Sequence, residues 1–201
     1  MDEIAKHLGI SKKTIYQFFP DKDEIVFLMC KKGIEEDVCC MKEIQMRSSS
    51  AIEEMLHISE FLRKELVSMH PSLLFDLHKY HRRAWNVYMA HKESVMEKSV
   101  SSNLQRGIEE GCYRPEINVL ILAKLRLETI QIAFDPTVFP PEEYNFGEIH
   151  AQFIEHFVRG LLTPKGLELW EKGKGMLEAN KAISSLGAVC TLIFSSLLVL
   201  V

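Results

Sequence analysis

The chain has 201 residues, of which 47% are hydrophobic and 26% are charged, and its formal net charge is −4. This composition is that of a globular protein, which excludes wholesale disorder and collagen-like or low-complexity chains. A protein that coats nucleic acid along its whole surface is basic, so any contact with DNA must be confined to a patch.

The cysteine pattern and the amino terminus fit a chain of the reducing cytoplasm. Five cysteines form an odd set without a C-x-x-C pair, which argues against a disulfide scaffold or a structural zinc site. The first residues contain no apolar run, so no secretory signal is expected. The sequence carries no fingerprint of a hydrolase, phosphate-binding loop, zinc protease or dinucleotide-binding enzyme, so we expect neither catalysis nor a cofactor. His78 and His81 have a metal-ligand spacing, but such histidines are more often surface or pocket residues, and no metal site is expected.

The pattern of apolar residues predicts helices and almost no strands. Glycine and proline occur at widely spaced points, and the segments between them repeat with a period near 3.6. Two short helices over residues 2–8 and 12–18 come first, and a third runs on to about Met46. Gly9 stands where a left-handed residue ends the first helix, and Ser11 caps the second. The sequence therefore predicts an all-α fold.

The rest of the chain is predicted as a series of amphipathic helices without a linker or a fixed repeat. We expect a helix-turn-helix domain with its connecting helix over 1–46, a helical effector and dimerisation domain over 47–182, and an apolar tail over 183–201. The predicted helices beyond the first three cover approximately residues 55–69, 71–91, 93–110, 117–134 and 146–162.

Two short helices joined by a tight glycine turn are the shape of a helix-turn-helix, whose second helix enters the major groove of DNA. The predicted second helix suits that use, because its outward side carries lysines, hydroxyls and an amide that can reach phosphates or base edges. Ile15 and Phe18 are expected to face inward and to fix the pose of this helix. The charge over residues 1–32 is only weakly positive, so the hypothesis rests on the pattern.

The segment 4–26 resembles the DNA-binding segment of the TetR family of transcriptional regulators. The residues that carry the resemblance are Ile4, Ala5, Gly9, Ile10, Ser11, Thr14, Ile15, Tyr16, Phe19, Lys22 and Ile25. The rest of the chain has the helix number and order of the family's effector domain, which diverges too much among members to count as a motif.

This resemblance implies a one-component regulator, expected to be a repressor, that binds operator DNA as a homodimer in the cytoplasm. A small apolar effector of unknown identity would bind between the central helices and shift the spacing of the two recognition helices. The candidate DNA-binding residues are Ser11, Lys12, Lys13, Thr14, Tyr16, Gln17 and Lys22. The candidate pocket residues, for which plain core packing is the competing interpretation, are Phe61, Met69, Phe75, Trp85 and Tyr88.

Both ends of the chain depart from the family pattern. Family members begin with one more helix, so either an internal methionine has been taken as the start or part of the DNA-binding domain is lacking. Residues 183–201 carry no charge, and as a helix they would span about 28 Å, just short of the hydrocarbon core of a bilayer. We interpret this tail as a membrane anchor, as an artefact of the gene end, or as a packed helix. The alternative function is a helical protein that does not bind DNA, with a vestigial motif and a membrane tether.

Dimerisation is predicted from two strongly apolar helices. Helix 117–134 is apolar nearly all round, and helix 146–162 carries a similarly wide stripe. One core face cannot bury all of these residues, so a partner should cover part of them. Paired across a two-fold axis, the two helices of each subunit would form a four-helix interface.

Overall fold

The computed structural model describes the backbone of residues 1–181 and the side chains of residues 1–65 and 69–177. Within that part of the chain the fold is all-α, as predicted, with no strand and one isolated antiparallel bridge between Tyr113 and Leu162. Residue 182 and the tail 183–201, with all three interpretations of the tail, lie outside the described residues. The helices are α1 (Asp2–Leu8), α2 (Lys12–Phe18), α3 (Lys22–Arg47), α4 (Ala51–Ser68), α5 (Leu73–Tyr80), α6 (Arg82–His91), α7 (Glu97–Glu109), α8 (Val119–Ala133), α9 (Phe146–Leu161) and α10 (Pro164–Lys181).

The main core lies among α4, α7, α8, α9 and α10. Its fully buried members include Leu104, Val158 and Trp170. The loop after α7 is held by Tyr113, whose hydroxyl donates to Asn103 Oδ1 at 3.1 Å. Asn103 in turn donates its amide to the carbonyl of Ala51 at 3.1 Å, so the start of α4 is fixed against α7.

A second core joins α3 to α5 and α6, and α3 contributes to both ends of the molecule. Ile25 packs with the residues of α1 and α2, whereas its neighbour Val26 and Cys30 pack against Leu77 and Ala84. The predicted division of the chain into 1–46 and 47–182 stays a prediction, because α3 is a single helix that serves both cores.

The structure corrects two predicted helix boundaries. The helix predicted over 71–91 is interrupted at His81, where neither proline nor glycine marks a break. The break predicted near residue 92 is absent, because a π-helical turn at Lys92–Met96 joins α6 to α7. A π-helical turn adds one residue to a helix without ending it, and such turns are frequent at functional sites.

None of the helices within residues 1–181 is long and apolar enough to cross a membrane.

The close packing of α10 on the loop after α7 yields a stability prediction. A Cβ on Gly166 would overlap the backbone carbonyl of Cys112, whereas a Cβ on Gly175 of the same helix would meet nothing within 4 Å. We expect Gly166→Ala to lower the free energy of unfolding by about 2 kcal/mol, because a backbone atom cannot move aside as a side chain can.

Gly175→Ala is the matched control and should be neutral or stabilising by up to about 1 kcal/mol, since alanine favours the helix. Urea denaturation of both variants checks the pair. Equal stabilities would contradict the packing of α10 described here.

Candidate nucleic-acid interface

The turn between α1 and α2 has the geometry that its sequence predicts. Gly9 adopts φ +65°, a left-handed conformation that glycine takes without strain, and the amide of Ile10 returns to the carbonyl of Ala5 at 3.0 Å. Ser11 then caps α2, because its Oγ accepts from the amide of Thr14 at 3.1 Å. The two caps fix the angle at which α2 leaves α1.

One small apolar cluster holds α1, α2 and the start of α3 together. Ile4, Ala5, Ile15 and Ile25 are its buried members. The predicted inward position of Phe18 is wrong, since 75% of this side chain is exposed. Because α2 has only seven residues, it packs against α1 and α3 through one narrow face, and Ile15 occupies that face.

The candidate DNA-binding residues fall into two groups. Lys12, Lys13, Tyr16 and Gln17 are exposed on the outward side of α2. Lys12 pairs with Asp2 of α1, whereas Lys13 has no hydrogen bond or ion pair to another described residue. Lysines and hydroxyls presented in this way are the usual donors to phosphates and base edges.

Three candidates are tied more closely to the protein. The Ser11 hydroxyl is engaged at the cap, where it also bonds Thr14 Oγ1 at 2.9 Å. Thr14 is half-buried. Lys22 is half-buried in the first turn of α3 and has a contact within the chain. These three side chains sit at the edge of the outward side rather than at its centre.

Two acidic residues in the first turn of α3 bond with side chains at the start of α6. Asp23 bonds the ring of His81 at 2.8 Å between Oδ1 and Nδ1, and Glu24 pairs with the guanidinium of Arg83. Because Arg83 lies outside residues 1–32, the net charge counted over that segment leaves out the cation that compensates Glu24. Sequence reasoning missed this pairing, because it joins residues 58 and 59 positions apart.

These contacts form the junction between the helix-turn-helix and the rest of the molecule. The guanidinium of Arg83 also lies 3.9 Å from the centre of the Phe27 ring. Deeper in the junction, the thiol of Cys30 donates to the carbonyl of Ala84 at 3.6 Å. The start of α6 is thus fastened to α3 by one ion pair, a cation–π contact and two hydrogen bonds.

The structure brings together three of the five candidate pocket residues. Met69, Trp85 and Tyr88 pack against the second core, and the rings of Trp85 and Tyr88 lie 5.5 Å apart. Phe75 is exposed instead, beneath the ammonium of Lys79, and Phe61 is half-buried elsewhere on α4. The assignment of an effector pocket to these residues stays a prediction.

The helix-turn-helix matches a known family model. Residues 1–29 match the model described as bacterial regulatory proteins, tetR family. This is the segment whose caps, turn and outward lysines are described above.

The likeness to known proteins extends beyond that segment. The HTH-type transcriptional regulator YvaF of Bacillus subtilis (strain 168) is 24% identical over 168 residues, which cover 80% of this chain and 84% of that protein. The HTH-type transcriptional regulator YhgD of the same organism is 25% identical over 147 residues, covering 65% and 71%. The fold is similar to that of the ketosteroid transcriptional regulator KstR2 of Mycobacterium tuberculosis, with a TM-score of 0.61, 17% identity, and 80% and 83% coverage.

Proposed function

Since the chain belongs to the TetR family and is a DNA-binding transcriptional regulator, we propose that it is a repressor released from its operator by a small-molecule effector. The observation that carries this proposal is the outward side of α2, where Lys12, Lys13, Tyr16 and Gln17 are exposed beside a correctly capped turn. The family match argues against the alternative in which the motif is vestigial. Because its target is DNA, the protein would act in the cytoplasm.

Binding to DNA would use two kinds of contact. Tyr16 and Lys22 are proposed to contact phosphates, which position the protein without reading the sequence. Lys13 lies in the first turn of α2, the part of a recognition helix that faces base edges. The two roles predict different effects on affinity and on sequence preference.

We expect Tyr16→Phe and Lys22→Ala each to weaken binding to every sequence by about 1 kcal/mol, and Lys13→Ala to change the order of preference among sequences. The measurement is a gel-shift titration on duplexes selected by the full chain from a random pool. Lys79→Ala, a lysine of α5 far from α2 in the sequence, is the control. If Tyr16→Phe and Lys22→Ala both bind DNA as tightly as the wild type, this mode of docking is ruled out.

We propose that the protein is a homodimer through the outward faces of α8 and α9. Leu120 and Ile121 on α8 are 69% and 63% exposed, and Leu125 and Ile132 are exposed on the same helix. Large exposed apolar side chains in one stretch of helix support burial by a partner. The larger apolar residues of α9 lie mostly in the subunit's own core, so α8 supplies most of the apolar contact in this proposal.

We expect sedimentation of the full chain at micromolar concentration to give a mass near twice the 23.1-kDa monomer. Leu120→Glu should make the protein monomeric, because the two glutamates related by the two-fold axis would be buried close to each other in the dimer. Met46→Glu, at an equally exposed residue of α3, should leave the dimer intact. A monomeric wild type would contradict the interface.

The effector domain and α2 are connected by polar contacts that support release by an effector. On α8, Glu128 and Gln131 accept from the ammonium of Lys92, which follows α6 directly. The other end of α6 is fastened to α3 through Arg83 and Glu24. We propose that a shift of α8 is transmitted along α6 to the start of α3, and so to the angle of α2. Such coupling requires two arrangements of the helices that effector and DNA favour differently.

Arg83→Gln tests the junction. It removes the ion pair to Glu24 and the contact with Phe27, and we expect affinity for the selected duplexes to fall about five-fold or more, because α2 is then held less firmly. Arg82→Gln is the matched control, since Arg82 is an exposed neighbour on the same helix. Equal affinities of the two variants would contradict a role for this junction in DNA binding.

A further inference from the structure

One ion pair crosses from α1 to the outward side of α2. The ammonium of Lys12 lies 2.5 Å from Oδ1 of Asp2, and the two side chains are 47% and 79% exposed. Among the residues with described side chains, no other ion pair reaches α2. The pKa of Asp2 lies below its ordinary value, chiefly because the carboxylate accepts a hydrogen bond from Lys12, so this carboxylate is charged at neutral pH. The pair therefore places a negative charge beside the surface that is proposed to meet DNA.

The two neighbouring lysines of α2 differ in their surroundings. Ser11 and Thr14 bond each other at 2.9 Å between their hydroxyl oxygens, and neither engages a lysine. Lys13 is exposed and has no ion pair to another described residue. The charge of Lys13 is thus available to DNA, whereas that of Lys12 is already compensated at close range.

This compensation changes what a lysine contributes to DNA affinity. A lysine that neutralises a phosphate releases a counterion, and this effect, which does not depend on the base sequence, supplies essentially all of non-specific binding. An ammonium that is already paired with a carboxylate contributes little of this effect, and the carboxylate itself repels phosphates. Asp2 should therefore weaken the binding of α2 to arbitrary DNA.

The ion pair leaves Lys12 able to contact a base edge. An ammonium has several donor hydrogens, so it can keep its bond to Asp2 and still donate to N7 or O6 of a guanine. These acceptors are uncharged, so neutralising the lysine costs less affinity at a base edge than at a phosphate. Pairing also restricts a flexible side chain, which lowers the entropy lost when that side chain is ordered on DNA.

We propose that Asp2 is a positioning residue for Lys12, and that its carboxylate makes the protein discriminate more strongly between its operator and other DNA. The carboxylate weakens contacts to phosphates, which all DNA offers, more than contacts to base edges, which only the operator offers in the right places. This inference rests on the proposed docking of α2 and gives a role to Lys12, which that docking left unassigned.

Asp2→Asn tests the proposal, because it removes the charge and keeps the size of an exposed side chain. Gel-shift titrations at several salt concentrations compare the selected duplexes with a scrambled duplex of equal length. On the scrambled duplex we expect a slope of log K against log salt concentration that is steeper by about 0.9 for each bound subunit, and an affinity about three-fold or more higher, because Lys12 can then neutralise a phosphate. Affinity for the selected duplexes should rise less, so the ratio of the two affinities should fall.

Glu3→Gln is the matched control. It removes the same charge from the next residue of α1, which is exposed and forms no ion pair with a described side chain. Equal effects of Asp2→Asn and Glu3→Gln overturn the proposal, because the loss of a charge near DNA would then explain both.

A double-mutant cycle with Lys12→Ala shows whether Asp2 acts through Lys12. In the Lys12→Ala background, Asp2→Asn should change slope and affinity no more than Glu3→Gln does. The same effect of Asp2→Asn with and without Lys12 overturns the proposal.

The remaining results separate this inference from its neighbours. If Asp2→Asn lowers affinity for the selected duplexes without changing the salt slope, the proposal is overturned in favour of a carboxylate that itself accepts a hydrogen bond from cytosine N4. A wild type that binds no duplex overturns the proposed function. A wild type that binds its selected duplexes, with Asp2→Asn indistinguishable from it, overturns this inference alone and leaves the DNA-binding function standing.

Discussion

The fastening of α6 to the start of α3 is the constraint on which the rest of the molecule depends. Asp23 and Glu24 sit in the first turn of α3, immediately after α2, and their partners His81 and Arg83 stand at the start of α6. Because α3 is a continuous helix, anything that holds its first turn also holds the small cluster around Ile15. The contacts of α6 with the first turn of α3 therefore help to fix the position of α2.

The same contacts explain how a chain of net charge −4 presents a basic face. Glu24 is paired with Arg83 of α6 and Asp2 is paired with Lys12, while Lys13 stays exposed. Opposite charges a few ångströms apart compensate one another locally, so Glu24 lowers the positive charge near α2 less than the net charge of the chain suggests. The arrangement of charges matters more for the function than their sum, and the arrangement is tertiary.

Local sequence information sufficed for the helix-turn-helix and for the fold class. Gly9, Ser11 and the burial of Ile15 follow from caps, turns and periodicity, which are properties of neighbouring residues. The break at His81 and the inner position of Arg126 could not be predicted, because they depend on residues distant in the chain. Phe18 shows what periodicity cannot predict even within one helix. Periodicity identifies the apolar side of a helix, but it does not show how many residues of that side are buried when the helix is short.

Helix α8 is apolar nearly all round, so its sequence does not show which side is buried. In the structure the helix has one buried side and one exposed side. Ile121, Leu125 and Ile132 face outward. Arg126 and Leu127 are buried on the opposite side of the same helix. A helix is stiff over this length, so a displacement on its inner side moves its outer side as well. The side of α8 that packs in the core and the side proposed to meet a second subunit are thus mechanically joined. Because Glu128 links α8 to Lys92 at the end of α6, and α6 is fastened to the start of α3, the helix proposed to contact a second subunit is also connected to the helix-turn-helix.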